Sequence, residues 1–235
     1  MSAGRALAVI PARGGSKRIP RKNIRLFAGR PILAWPVKAA LDSELFDTVM
    51  VSTEDDEIAR VAREAGAETP FLRSRETADD HSSLLDVLAE VVATYRARGE
   101  MFDTICCILP TATLVTADRL GTGHAMFETG AFDSVFPVTR FPAPIQRALR
   151  RDADGMISMF QPEHYRSRSQ DLEPAYHDAG QFYWMSDHAC LERTPTFEGR
   201  AGSFVIDETE VQDIDTEVDW RLAELKHQLL HSGTT

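Results

Sequence analysis

The sequence predicts an α/β fold, a mostly parallel sheet with helices on both faces. Short apolar runs alternate with longer amphipathic stretches, and several of those stretches are bounded by capping residues. The chain has 235 residues, 43% of them hydrophobic, enough for one large domain of this kind.

Leu7 to Ile10 reads as a short buried strand, and Pro31 to Leu41 as a helix with its proline near the start. Thr48 to Val51 is a second strand. Thr53 is placed to cap the helix that follows, which carries Asp55 and Asp56 in its first turn and stops before Gly66. A helix fits Ser83 to Ala97, a third strand Thr104 to Leu109, a helix Thr116 to Glu128, and a fourth strand Phe132 to Val138. Phe141 to Trp184 is rich in Pro, Arg, Gln and aromatic residues, and reads as an insertion for substrate or subunit contacts within a single domain, 1–235. A last strand over Val211 to Ile214 and a helix from Thr216 to Leu230 close the domain.

The formal net charge of -10 argues against nonspecific nucleic-acid binding, which requires an extended basic surface. No apolar run approaches the roughly 20 residues that span a bilayer, and no signal peptide is expected, since Val9 and Ile10 run straight into Arg13. Cys106, Cys107 and Cys190 form no disulfide framework, so a reduced, cytoplasmic setting is expected. The seven histidines, His81 among them, show no zinc-ligand spacing, and no serine sits in a nucleophile elbow.

Positive charge is concentrated instead. Nine cations precede the first acidic residue, Asp42, and five of them (Arg13, Lys17, Arg18, Arg21 and Lys22) crowd the loop after the first strand, beside Gly14 and Gly15. Like charges this close repel, so an anion is expected to compensate them, and glycines allow backbone N–H groups to approach one closely. The loop lacks the Gly-Lys-Ser/Thr ending of a P-loop and the Gly-x-Gly-x-x-Gly dinucleotide fingerprint. It reads as a polyphosphate cradle at the carboxyl end of a strand, against a plain basic surface turn.

Asp213 and Asp215 flank Ile214, and on a strand they would share one face. Two adjacent carboxylates repel unless a cation joins them, and an all-oxygen ligand set suits Mg²⁺. The alternative is a solvated strand edge ahead of Thr216 as a helix cap. The segment from Tyr165 to Trp184, with Arg166, Arg168, Gln181 and Tyr183, offers the Arg forks, amides and aromatic faces that would hold a polyhydroxylated acid. A polar subunit interface would draw on the same residue types.

At these residues the chain resembles the CMP-sugar-acid synthetases, cytidylyltransferases that activate nine-carbon acids. The Ile10–Asn23 loop matches that family's signature, and Asp213-Ile214-Asp215-Thr216 its metal-binding pair. Where sialic acid enzymes carry Gln-Pro-Thr-Ser-Pro, this chain has Leu109-Pro110-Thr111-Ala112-Thr113. A customary Lys is replaced by Gln146, and Asn-Gly-x-x-Tyr becomes Ala179-Gly180-Gln181-Phe182-Tyr183. Phe-Pro-x-Pro-Ile-Gln-Arg, Arg-Ser-Gln-Asp-Leu and His-Asp-Ala-Gly-Gln-Phe-Tyr-Trp are similar to the pseudaminic acid branch.

The resemblance implies a Rossmann-like nucleotidyltransferase fold and a homodimer joined through the insertion. It places CTP over Ala12, Arg13, Gly14, Gly15, Ser16, Lys22 and Asn23, with Arg13 and Lys22 on the phosphates. Arg73, Ser82 and Ser83 are expected at the ribose and base. Mg²⁺ is expected on Asp213 and Asp215. Leu109, Thr111, Gln146, Arg166, Arg168, Gln181 and Tyr183 are expected to face the nine-carbon acid, with an arginine on its carboxylate. The anomeric hydroxyl would attack the α-phosphorus and release pyrophosphate, with no side-chain nucleophile.

Overall fold

A computed structural model of the protein describes residues 4–79 and 82–231, so His81 lies outside the described residues. The chain opens with β1 (Ala6–Pro11), the basic loop, a short pair β2 (Leu26–Phe27) and β3 (Arg30–Pro31), and α1 (Ala34–Asp42). β4 (Thr48–Ser52), α2 (Asp56–Glu64), α3 (Leu84–Ala97), β5 (Thr104–Ile108), α4 (Ala117–Phe127) and β6 (Ser134–Arg140) follow. A hairpin of β7 (Leu149–Arg151) and β8 (Ile157–Met159) comes next. The chain ends with β9 (Tyr176–Asp178), β10 (Phe182–Ser186), α5 (Asp187–Leu191), β11 (Ala201–Val205) and α6 (Glu217–His231).

The main sheet runs β11-β6-β10-β5-β1-β4, with β9 also on β6. β1 is parallel to β4 and β5, and β11 to β6, while β10 runs antiparallel between β5 and β6. The predicted α/β class is what the chain adopts. Strand alternation sorts the core into two layers. Ala8, Ile10, Val51, Cys106 and Trp184 face α1, α2 and α4, whereas Leu7, Val9, Met50, Cys107 and Tyr183 face α3 and α5. Being apolar on both faces, the central strands read as continuous hydrophobic runs.

The structure departs from the sequence reading at several elements. Val211 to Ile214 is not a strand but an irregular segment, because its carbonyls take side-chain donors in place of ladder partners. Lys226 Nζ donates to Val211 O at 2.6 Å, and Lys22 Nζ to Ile214 O at 2.7 Å. Ile214 packs under α6 in a separate cluster with Ile19, Phe27, Ile32 and Trp220. β11 supplies the last strand instead, with too few apolar residues (Gly202, Ser203) to announce itself. The stretch 141–184 is also divided: its hairpin β7–β8 stands off the main sheet, while Phe182 and Trp184 lie fully buried in the sheet's middle. Pro31 belongs to β3 rather than to α1, and Asp55 replaces Thr53 as the cap of α2, accepting from Glu57 N and Ile58 N at 3.0 Å.

α4 meets β10 closely at one point. A Cβ on Gly123 would stand 2.8 Å from Phe182 Cε2 and 2.9 Å from Trp184 Cδ1, while one on Gly121 would meet nothing within 4 Å. Gly123→Ala is therefore expected to lower the urea midpoint, since overpacking of roughly 1–3 kcal/mol outweighs a helix-propensity gain of about 1 kcal/mol. Gly121→Ala, which keeps only the gain, is expected to raise it.

Candidate active site

The loops after β1, α2 and β5 converge at the carboxyl edge of the sheet, where open α/β sheets bind ligands. They line a cleft of about 360 Å³ whose wall includes Arg13, Ser16, Lys22, Asn23, Arg73 and Asp213. The two charged constellations, some two hundred residues apart in sequence, meet here. Arg18 Nη2 reaches Asp215 Oδ1 at 2.6 Å, Lys22 Nζ lies 3.8 Å from the same oxygen, and Lys22 also holds Ile214 O.

The basic loop is held from outside by the start of α2. Glu54 Oε1 accepts from Gly14 N at 2.7 Å, and Asp55, while capping α2, takes Arg21 Nη1 at 2.5 Å and Nη2 at 3.2 Å. Glu57 grips the same guanidinium at 2.5 Å. Arg21 is thereby turned away from the cleft, at φ 54°, a left-handed conformation that the two carboxylates hold in place. Gly14 also differs from expectation: its N–H serves Glu54, and a Cβ there would strike Asp55 Oδ2 at 2.7 Å. Gly14 is required by this close approach of α2 rather than by an anion. Neither Gly14, Gly15 nor Ala12 lines the cleft, whereas Arg13, Ser16, Lys17 and Arg18 do.

Inside the cleft, Asn23 is 4% exposed; its Nδ2 donates to Arg13 O at 2.9 Å, and its Oδ1 has no partner. A buried acceptor without a donor is costly, which makes this oxygen a candidate acceptor for a ligand's N–H or O–H. Arg73 is buried, donating from Nε to Ser52 Oγ at 3.1 Å and from Nη2 to Ser52 O at 2.5 Å, and burial pushes its pKa down. Ser82 Oγ donates within its own loop to Glu76 O and Asp79 Oδ1. Ser83 lines the cleft, but its hydroxyl is engaged in the capping box of α3 with Asp86.

Asp213 lines both the main cleft and a neighbouring one of about 390 Å³, which Asp215, Asp219, His177 and Lys226 share. Partial burial, then the charge of Asp215, push the Asp213 carboxyl up, while Lys22 pulls it down. The pair is thus repulsive, oxygen-only and adjacent to a cationic loop, and these residues fit a divalent cation such as Mg²⁺. Behind the pair, Asp219 accepts from Asp215 N at 3.1 Å and Thr216 N at 2.7 Å, so the cap of α6 fixes the backbone of Asp215.

The residues expected to face the sugar acid divide. Leu109 and Thr111 line the main cleft. Gln181 does not: it is 2% exposed, its Nε2 donating to Glu210 O at 2.7 Å and its Oε1 accepting from Arg119 at 3.2 Å. Tyr183 is buried on the sheet face toward α3 and donates to Asp178, and burial pushes its phenol well up. Gln146 donates to Glu173 O at 3.0 Å, leaving its buried Oε1 unpaired, and exposed Arg166 and Arg168 lie in the insertion, outside the cleft.

Sequence reasoning passed over Glu54, Arg119, Glu210 and Lys226, which hold the site from behind. No local pattern marks the last three, because each acts across a long sequence separation on a backbone carbonyl, an amide or another side chain. The run Glu54-Asp55-Asp56-Glu57 directly after β4 was the one available signal, a block of carboxylates able to answer a block of cations.

Residues 7–126 match the family described as Cytidylyltransferase. A pseudaminic acid cytidylyltransferase of Campylobacter jejuni subsp. jejuni is 40% identical over 227 residues, covering 97% of this chain and 98% of that protein. A CMP-N,N'-diacetyllegionaminic acid synthase of Legionella pneumophila is 32% identical, covering 94% and 95%. A solved CMP:2-keto-3-deoxy-manno-octonic acid synthetase complexed with CTP shares the fold at a TM-score of 0.69, over 97% of this chain and 99% of that one, at 16% identity. With a cationic cleft facing a carboxylate pair, and with relatives matched along nearly its whole length, the chain belongs to the cytidylyltransferase family.

Proposed function

We propose that the protein transfers CMP from CTP to the anomeric hydroxyl of a nonulosonic acid, pseudaminic acid, and releases pyrophosphate. The observation that carries this reading is the meeting of the cations Arg13, Arg18 and Lys22 with Asp213 in the main cleft, and of Arg18 and Lys22 with Asp215 at its border. Such an arrangement suits a triphosphate and its divalent cation and calls for no covalent intermediate. The names of the full-length Campylobacter relatives support the choice of sugar.

In this reading Arg13 and Lys22 bind the phosphates, and the orphan Asn23 Oδ1 accepts from the nucleoside. Asp213 and Asp215 would hold Mg²⁺, which when bound offsets negative charge developing on the phosphoryl oxygens. The anomeric oxygen displaces pyrophosphate in line at the α-phosphorus, with Leu109 and Thr111 shaping the wall beside it.

We further infer a homodimer working in the cytoplasm. Leu149, Met156, Ile157, Phe160 and Tyr165, all on or beside the hairpin β7–β8, are more than half exposed, an apolar patch that a second copy would cover. Arg166 and Arg168 could then serve a carboxylate only in the other copy's cleft. Among the described residues no helix is long and apolar enough to cross a membrane.

Pyrophosphate release from CTP across a panel of nonulosonic acids tests the reading. Pseudaminic acid is expected to be turned over at least ~10-fold better than N-acetylneuraminic acid, as hydrogen-bond mismatches at a buried site cost this much or more. Equal turnover would remove the sugar assignment, and no release with any acid would remove the reaction.

A further inference from the structure

Arg119, the third residue of α4, is 8% exposed, yet it carries a guanidinium into the molecule. Burying such a charge is costly unless it is paired and hydrogen-bonded, and Arg119 is both. Its Nη1 donates to Leu114 O at 2.7 Å and to Gln181 Oε1 at 3.2 Å, and its Nη2 pairs with Glu210 Oε1 at 2.6 Å. Gln181 closes the circuit by donating from Nε2 to Glu210 O at 2.7 Å. Glu210 is held at its carboxylate and at its carbonyl.

These partners lie on three segments that reach the site separately. Leu114 ends the turn after β5 that brings Leu109 and Thr111 to the cleft. Gln181 follows Gly180, whose φ of +61° interrupts the run from β9 to β10; a Cβ on Gly180 would lie 4.0 Å from Asp213 Cβ. Glu210 precedes Asp213 by three residues, at the end of a short 3-10 turn, Glu208–Glu210. The segment from Val211 to Ile214 has no strand partner, so its place rests on side-chain donors. Lys226 takes Glu208 O and Val211 O from the α6 side, and Lys22 takes Ile214 O from the loop side. The Arg119 circuit is the hold from the sheet side.

We propose that Arg119, acting with Gln181 and Glu210, is a positioning residue that sets where Asp213 stands between the two clefts. The geometry favours Arg over Lys because only a planar fork can serve a carbonyl, an amide oxygen and a carboxylate from one fixed position. The same circuit accounts for Gln181: its departure from the sialic acid pattern serves this support and not direct contact with the sugar. A residue that merely filled the core at this point would need no charge. The inference rests on the reading of Asp213 and Asp215 as the divalent-cation pair.

The test uses the full chain with Arg119→Lys, Glu210→Gln and Asp213→Asn, each checked for folding by circular dichroism. Mg²⁺ is titrated into the pyrophosphate-release assay, and thermal stabilisation by CTP is measured with and without Mg²⁺. Arg119→Lys and Glu210→Gln are expected to raise half-saturating Mg²⁺ roughly tenfold, the scale of losing a support behind a metal ligand. Their stabilisation by metal-free CTP is expected to stay at the wild-type value, and the double variant to be no worse than the weaker single, because both changes open one circuit. If Arg119→Lys does not fold, Glu210→Gln alone decides, being isosteric and keeping the site's shape. Unchanged half-saturating Mg²⁺ in a folded variant, or losses that follow only the folded fraction, would overturn the proposal. Asp213→Asn separates the two readings: wild-type turnover there would sink the metal pair itself, whatever the clamp variants do.

Discussion

Asp213→Asn and Asp215→Asn are each expected to lower kcat by about 10²- to 10³-fold. A bound cation supplies several kcal/mol of charge stabilisation at a phosphoryl centre, and each ~1.4 kcal/mol is a factor of ten in rate. The two variants are expected to part company in stability. Asp213 has its carboxyl pushed up by partial burial and by Asp215, so the folded chain holds that proton more tightly than the unfolded chain does. Such a group favours folding at low pH, where it is protonated, and the benefit is lost as pH rises through the folded value. At neutral pH the ionised carboxylate therefore opposes folding, although water screens much of the effect, as the residue keeps solvent contact. Metal-free Asp213→Asn is expected to melt above the wild type at neutral pH and to lose that advantage in acid. Asp215 is answered by Arg18 at 2.6 Å, and Asp215→Asn is expected to gain nothing. Scanning calorimetry in chelator, beside steady-state rates, reads both. Wild-type kcat in both variants would return the pair to a surface turn.

The chemistry at this site was more legible in the sequence than the scaffold that supports it, for physical reasons. Arg13, Lys22 and the Asp213–Asp215 pair announce themselves because like charges crowded together in the sequence are costly and call for a counter-charge from elsewhere. The central strands announce themselves because both of their faces are buried. β11 does not, as Gly202 takes the place of an apolar side chain and admits the Phe132 ring, 2.6 Å from where its Cβ would be. β10 looked like the tail of an insertion because its apolar run, Phe182 to Met185, follows a polar stretch without a helix between. Local pattern also gave no sign that Gln181 would be buried between Arg119 and Glu210, both remote in sequence. Part of the loop's charge was misread in the same way: Arg21 serves Asp55 and Glu57, counter-charges that arrive only when α2 folds against it.

Lys22→Met is expected to cost about 10²- to 10³-fold in kcat/KM for CTP, on the scale of removing one charge-stabilising donor from a preorganised site. Lys22 is placed for such a loss. Its side chain is largely enclosed, 21% exposed, and its ammonium donates to Ile214 O at 2.7 Å and stands 3.8 Å from Asp215. It therefore touches both halves of the site, and a neutral side chain there would leave Asp215 with Arg18 alone. Lys22→Arg is expected to recover binding only in part, since a planar fork cannot reproduce a compact charge in the same space. The pH profile tests the assignment separately. Burial pushes the Lys22 pKa below that of a free lysine, opposed by Asp215 and Asp213 and assisted by Arg18 and Arg13. Only the protonated amine attracts phosphate, so kcat/KM is expected to fall on the alkaline side before a free lysine would lose its proton. In Lys22→Arg, whose guanidinium stays charged throughout, that limb should move to higher pH. A Lys22→Met enzyme with wild-type kcat/KM, or an alkaline limb left in place by Lys22→Arg, would take Lys22 out of the phosphate site.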